Sequence, residues 1–255
     1  MNQAPDAFVL VHGGHAGAWV WDDLRPLLDL PALAVDLPGH GSRPGSLGTL
    51  TIAECVNAVV AELPPDGRLI LVGHSLGAAI VLALADRIAS RVAHIVCLAG
   101  PVPRPGDSIV ASFPLLMRIA SRVVLWFSGR EFSQSRRMSA KTFFNGMGPD
   151  QVSRACDRLT PESAALVQEP LRWTGRPPAP CTYLKCLRDR GPLSPRHQNR
   201  MAANLGTGVR VVALDACHYA MLDRPGEVAA ALNHIARDAK LSRADPNPAP
   251  DRSAR

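Results

Sequence analysis

"RLILVGHSLGAAIVLALADRIA", residues 68–89, sets one serine between two glycines where an apolar run of one kind gives way to an apolar run of another. "RLILV" (68–72) is short and continuously apolar, as suits a strand buried on both faces. "LGAAIVLALADRIA" (76–89) is rich in Ala and Leu and reads as a helix. Gly73-His74-Ser75-Leu76-Gly77 between them fits G-x-S-x-G. In that motif a sharp strand-to-helix turn lifts a serine hydroxyl clear of the sheet edge and aims a helix N-terminus at it. Glycine and serine also meet in ordinary turns, so the motif gains its weight from the strand before it and the helix after it.

Working outward, further strand-like runs are "AFVLV" (7–11), "ALAVD" (32–36), "VAHIVCL" (92–98), "CTYLKCL" (181–187) and "VRVVAL" (209–214), alternating with longer helical patterns. Parallel pairing requires helical crossovers, so the alternation predicts an α/β protein with a doubly wound, mostly parallel sheet. Residues 1–100 and 181–240 form its core in this reading. Residues 101–180 show helical patterns ("SIVASFPLLMRIASRVVLWF", "GPDQVSRACDRL") and no strand alternation, which predicts a helical cap insertion. The stretch 241–255 combines proline and charge with little apolar content and is expected to be a disordered tail.

At 255 residues the chain is long enough for one sizeable core. The apolar content of 47% is ordinary, and no uninterrupted run approaches the roughly 20 residues of a membrane span. With no such run no membrane partner is expected, and the N-terminus has no basic leader or apolar signal core, so a cytoplasmic location is expected. The net charge of +6 comes from scattered arginines without interleaved aromatics, which argues against nucleic acid. Six cysteines form no CxxC pair and no Cys/His ligand spacing, so neither a disulfide framework nor a zinc site is expected.

A serine nucleophile needs a base, and the base needs a carboxylate to orient it. On this sheet plan the chain order is Ser, acid, His, each after a strand. His218 follows "VRVVAL" in "LDACHYAML" and precedes a helical run; it is the expected base. Asp189 follows "CTYLKCL" in "LRDRGPL" and is the expected acid. An aspartate flanked by arginines also suits a surface ion pair, and Asp215 is the rival, but it sits close to the strand end. "LVHGGHAGAWVW" offers a bare-backbone turn after the first strand, so the N–H groups of Gly14 and Leu76 are the expected oxyanion donors. His12 is read as a brace for that turn, and His15, His40 and His74 as local packing or hydrogen-bonding groups.

These stretches, with "AVDLPGHGSRP", "YLKCLRDRGPLSP" and "LDACHYAMLDRPGEVAAAL", resemble the α/β-hydrolase family that holds plant methylesterases, the salicylic-acid-binding esterase, the hydroxynitrile lyases and many bacterial esterases. The resemblance runs to about residue 238. It implies the α/β-hydrolase fold, a Ser75, Asp189 and His218 triad, and oxyanion donors at Gly14 and Leu76, with no metal and no organic cofactor. In relatives the insert walls the acyl pocket, which points to Met117, Trp126 and Phe143 as pocket residues, with Phe113, Leu116, Phe127 and Phe144 as further apolar candidates; Gly13 in the first turn and Tyr219 beside the base complete the expected pocket. Taken singly, each apolar residue of the insert is read first as cap core.

The expected reaction is hydrolysis of a carboxylic ester of a small or medium apolar acid, a methyl ester among them, through an acyl-enzyme. Thioesters and lactones would use the same machinery. The lyases of the family place a lysine directly after the catalytic histidine and a threonine in the first turn, where this chain has Tyr219 and Gly13, so cyanohydrin cleavage is the weaker enzyme reading. A non-catalytic small-molecule receptor would need no working triad. The partner implied is a small ester, with homodimer formation left open.

Overall fold

The alternation of short apolar runs with amphipathic ones folds into a single parallel sheet flanked by helices. The structure, a computed structural model, describes residues 5–191 and 193–241. In chain order the elements are β1 (Pro5–Val11), β2 (Ala32–Val35), α1 (Ile52–Glu62), β3 (Arg68–His74), α2 (Leu76–Arg87) and β4 (Val92–Leu98). The insert follows, with α3 (Leu115–Ser128), β5 (Glu131–Phe132), α4 (Arg136–Thr142), α5 (Pro149–Asp157), β6 (Glu162–Ser163) and α6 (Ala164–Gln168). Then come β7 (Cys181–Cys186), α7 (Pro195–Asn204), β8 (Arg210–Leu214), α8 (Ala220–Asp223) and α9 (Pro225–Leu241).

The large sheet runs β2-β1-β3-β4-β7-β8, and every neighbouring pair in it is parallel. Side chains alternate across each strand. Phe8 and Leu10 of β1 therefore join Ile70, Val72, Val96 and Leu98 in the core under α9, while Val9 and Val11 join Leu69, Leu71, Ile95 and Cys97 under α1 and α2. Two helical layers are needed because both faces are apolar. α1 begins at a capping box: the Thr51 hydroxyl accepts from Glu54 N–H (3.2 Å) and the Glu54 carboxylate accepts from Thr51 N–H (2.8 Å).

The insert departs from the purely helical expectation. Glu131 and Phe132 pair antiparallel with Ser163 and Glu162. Strands of two residues are too short to show an alternating pattern, so no periodicity marks them. The tail expected at 241–255 lies, beyond Leu241, outside the described residues. Among the described residues no helix is long and apolar enough to cross a membrane, and no group of three or more His, Cys, Asp or Glu side chains could hold a metal ion. All six cysteines are free thiols.

Candidate active site

Ser75 stands alone between β3 and α2 with φ 48° and ψ −125°. A non-glycine residue held there is strained by roughly 1–3 kcal/mol, so the surroundings must impose it. They do so by crossing backbones closely. A Cβ on Gly73 would lie 2.3 Å from the Gly77 carbonyl oxygen, and one on Gly77 would lie 2.5 Å from the carbonyl oxygens of Val11 and His12. Ser75 N–H donates to Leu98 C=O (3.0 Å), which ties the turn to β4.

His218 Nε2 lies 3.0 Å from Ser75 Oγ, and His218 Nδ1 lies 2.8 Å from Asp189 Oδ2. Histidine and aspartate are 2% and 4% exposed, so the pair operates out of water. Asp189 takes two more hydrogen bonds, from Gly191 N–H to Oδ1 (2.6 Å) and from Gln198 Nε2 to Oδ2 (2.8 Å). Gln198 is fully buried; its own oxygen accepts from Cys186 N–H (2.9 Å) and its amide also reaches Leu193 C=O (3.0 Å). Sequence reasoning missed Gln198, since a glutamine in the polar run "SPRHQNRM" carries no mark of burial. Asp215 is turned outward instead, with Oδ1 accepting from Arg188 Nε at 3.2 Å. The arginine beside Asp189 thus pairs with the rival carboxylate and with Asp223.

Three histidines support this arrangement without facing the serine as its base. His74 donates Nε2–H to the His218 carbonyl (2.9 Å), and burial, reinforced by His218, pushes its pKa well down. His12 accepts from Leu37 N–H at Nε2 (3.0 Å), so its proton is on Nδ1, which donates to Gly13 C=O at 2.7 Å. Burial lowers its pKa to about 4, which keeps it in that neutral tautomer. His15 is bound to the insert: Thr160 N–H donates to its carbonyl (2.9 Å), and its ring nitrogen meets Thr160 C=O (3.0 Å).

Glu162 of β6 was not foreseen either. It is 1% exposed, accepts from His15 N–H (3.2 Å) and stands 3.3 Å from His40 Nε2. Burial opposes its charge, but contact with His40 prevails and holds its carboxyl below the usual range. The same contact, again against burial, raises His40. Losing one partner of a buried ion pair typically costs about 3–5 kcal/mol. Glu162→Ala is therefore expected to lower stability in urea unfolding by about that amount, and Glu162→Gln, which keeps an acceptor for His15 N–H, by less. Equal stability of all three proteins would show that the pair carries no weight.

Ser75 opens into a cavity of about 430 Å³, within the range of small-molecule sites. Gly14, Leu76 and His218 line it beside the serine, and Met117, Phe143 and Tyr219 line it as the sequence suggests. Phe143 stacks on the His218 ring (5.2 Å, 26°), and Tyr219 donates its hydroxyl to Gly14 C=O (3.1 Å). Two expected pocket residues are elsewhere. Gly13 packs behind the serine, where a Cβ would meet His74 Nδ1 and Ser75 Cβ at 2.8 Å. Trp126 is 79% exposed on the outer side of α3, where Leu116 and Phe127 are exposed too, because that helix carries apolar residues on two sides and turns only one of them inward. Phe113 does line the cavity, whereas Phe144 is buried against Tyr219.

The model of a family described as "Alpha/beta hydrolase family" matches residues 8–231. Polyneuridine aldehyde esterase of Rauvolfia serpentina is 34% identical over 113 residues, a match spanning 42% of this chain and less than half (43%) of that protein. A carbendazim hydrolyzing esterase from Nocardioides sp. (strain SG-4G) is 29% identical over 87% of this chain and 96% of its own. In fold, the chain is similar to an extracellular alpha/beta-hydrolase from a Paenibacillus species, with a TM-score of 0.80 and 22% identity over 92% of this chain and all of that one.

Proposed function

The chain belongs to the alpha/beta hydrolase family, and from that membership we propose that it is a carboxylesterase-type serine hydrolase acting on neutral, apolar esters of small or medium size. One observation carries the reading: the unbroken line from Ser75 Oγ through His218 to a buried Asp189 at the base of an apolar cavity. His218 Nε2 takes the hydroxyl proton as Ser75 Oγ bonds to the ester carbonyl carbon. The carbonyl electron pair moves to its oxygen, where the N–H groups of Gly14 and Leu76 receive the charge. Leu76 is the first residue of α2, so its N–H has no carbonyl within the helix to bond. Collapse expels the alcohol with the proton from His218, and water then repeats the sequence on the acyl-enzyme. Asp189 keeps the imidazole in the tautomer with its proton on Nδ1 and stabilises the cation that forms.

The cavity supports the substrate class. Among the described residues no lysine or arginine lines it, and its walls are Ile109, Val110, Phe113, Met117, Leu125 and Phe143 among others. A substrate carboxylate would find no cation there and would meet the charge of Glu162, whereas an ester would not. Tyr219 counts against cyanohydrin cleavage: burial pushes its phenol up, and its hydroxyl is committed to Gly14 C=O, so it supplies no positive charge for a cyanide leaving group. The receptor reading is disfavoured by a complete triad in hydrogen-bonding geometry.

A panel of p-nitrophenyl and methyl esters graded by acyl size, with lactones, thioesters and mandelonitrile alongside, tests this. Hydrolysis of aryl esters is expected, with no cyanide release above background. Serine-dependent cyanide release with aryl esters untouched would promote the lyase, and inactivity on every substrate would promote the receptor.

A further inference from the structure

Helix α3 is apolar on two sides, and only one of them is used by the cavity. Met117, Ala120, Ser121 and Leu125 face inward. Leu116, Ile119, Val123 and Phe127 follow one another at helical spacing along the outside, with Leu115 and Trp126 beside them. Leu116 is 83% exposed, Trp126 79% and Phe127 76%. Contiguous apolar surface of this kind marks an interaction site.

Charge identifies the partner. Arg118 and Arg122 lie one turn apart along the edge of this strip, Arg130 follows the helix, and the only acid from 115 to 131 is Glu131. Among the described residues none of these three arginines is in a salt bridge. A two-fold contact with a second copy lays the same strip against itself and brings Arg118 and Arg122 near their own counterparts. An anionic lipid surface matches the strip in both respects, since aromatic and aliphatic side chains enter the headgroup–acyl boundary while arginines meet lipid charge. The 14 residues of α3 make a helix of about 21 Å, too short to span a bilayer and long enough to lie in its plane. The absence of a spanning run, on which the expectation of no membrane partner rested, does not bear on this mode of binding.

We propose that the outer face of α3 seats on an anionic lipid surface, with Trp126 and Phe127 inserted and Arg118 and Arg122 on the headgroups. The cavity reaches the surface at α3 and α4, for Met117 and Met138 line it and are 40% and 50% exposed. Binding to lipid stands apart from the esterase reading and holds whatever the cavity accepts.

Co-sedimentation of the full chain with phosphatidylglycerol vesicles tests it, with phosphatidylcholine vesicles and high salt as controls. Binding to the anionic vesicles is expected, with a blue shift in tryptophan emission, since Trp126 is the most exposed of the four tryptophans. Trp126→Ser/Phe127→Ser and, separately, Arg118→Glu/Arg122→Glu are each expected to weaken it roughly tenfold or more with circular dichroism unchanged. No binding by the wild-type chain overturns the proposal. So does binding that both variants retain, or a wild-type dimer that the Trp126→Ser/Phe127→Ser variant converts to monomer, which would assign the strip to a second copy. If one variant fails to fold, the other decides.

Discussion

Ser75→Ala is expected to abolish ester turnover, by about 10⁶-fold in kcat on the scale of comparable serine hydrolases, while the protein still folds. The Ser75 side chain makes its hydrogen bond to His218 Nε2, and alanine removes that hydroxyl and nothing else from the turn. Serine and alanine both carry a Cβ and meet the same penalty at φ 48°, so the strained geometry imposed by Gly73 and Gly77 survives the exchange. The loss therefore falls on the covalent step. A fluorophosphonate probe should label the wild-type chain on the peptide holding Ser75 and leave the variant unlabelled, with matching melting temperatures. Labelling or turnover retained in the alanine variant would remove Ser75 from the mechanism.

Asp189→Asn should lower kcat by about 10⁴-fold with the fold intact. The carboxylate receives three donors, Gly191 N–H on Oδ1 and both His218 Nδ1–H and Gln198 Nε2 on Oδ2. An amide cannot serve them all. If its oxygen takes Gly191 N–H, its NH₂ faces the imidazole and forces the proton to Nε2, where it confronts Ser75 and cannot accept. If its oxygen faces His218, the NH₂ opposes Gly191 N–H. Either way the base is lost or the loop is strained. Asp215→Asn is expected to change little, because its side chain is 70% exposed and paired with Arg188 at the surface. Measuring kcat for both variants on one aryl ester ranks the two carboxylates, and the opposite order would transfer the role to Asp215.

Where local pattern decides, the sequence alone was sufficient. Continuous apolar runs separated by helical ones point to a parallel sheet covered on both faces, since such strands are buried on both sides and the helices between them make the crossovers that parallel pairing requires. G-x-S-x-G marks its own turn, since a Cβ on Gly73 would lie 2.3 Å from the Gly77 carbonyl oxygen within the motif, whereas the room that Gly77 must leave is set by the Val11 and His12 carbonyls of the first strand and its turn. Tertiary structure decided whatever depends on which side of a segment faces in. Asp189 and Asp215 look alike as residues just past strand ends, yet one is buried against Gln198 and the other is in water. Trp126 and Met117 share a helix with apolar residues on both its inner and its outer side, so periodicity could not assign one to solvent and the other to the cavity. Glu162 and Gln198 occur in polar stretches, and only contacts spanning 147 and 9 residues reveal them as buried groups, one holding the first turn and the other the acid. Burial of a polar side chain is set by what packs over it from elsewhere in the chain, and no neighbour in sequence records that.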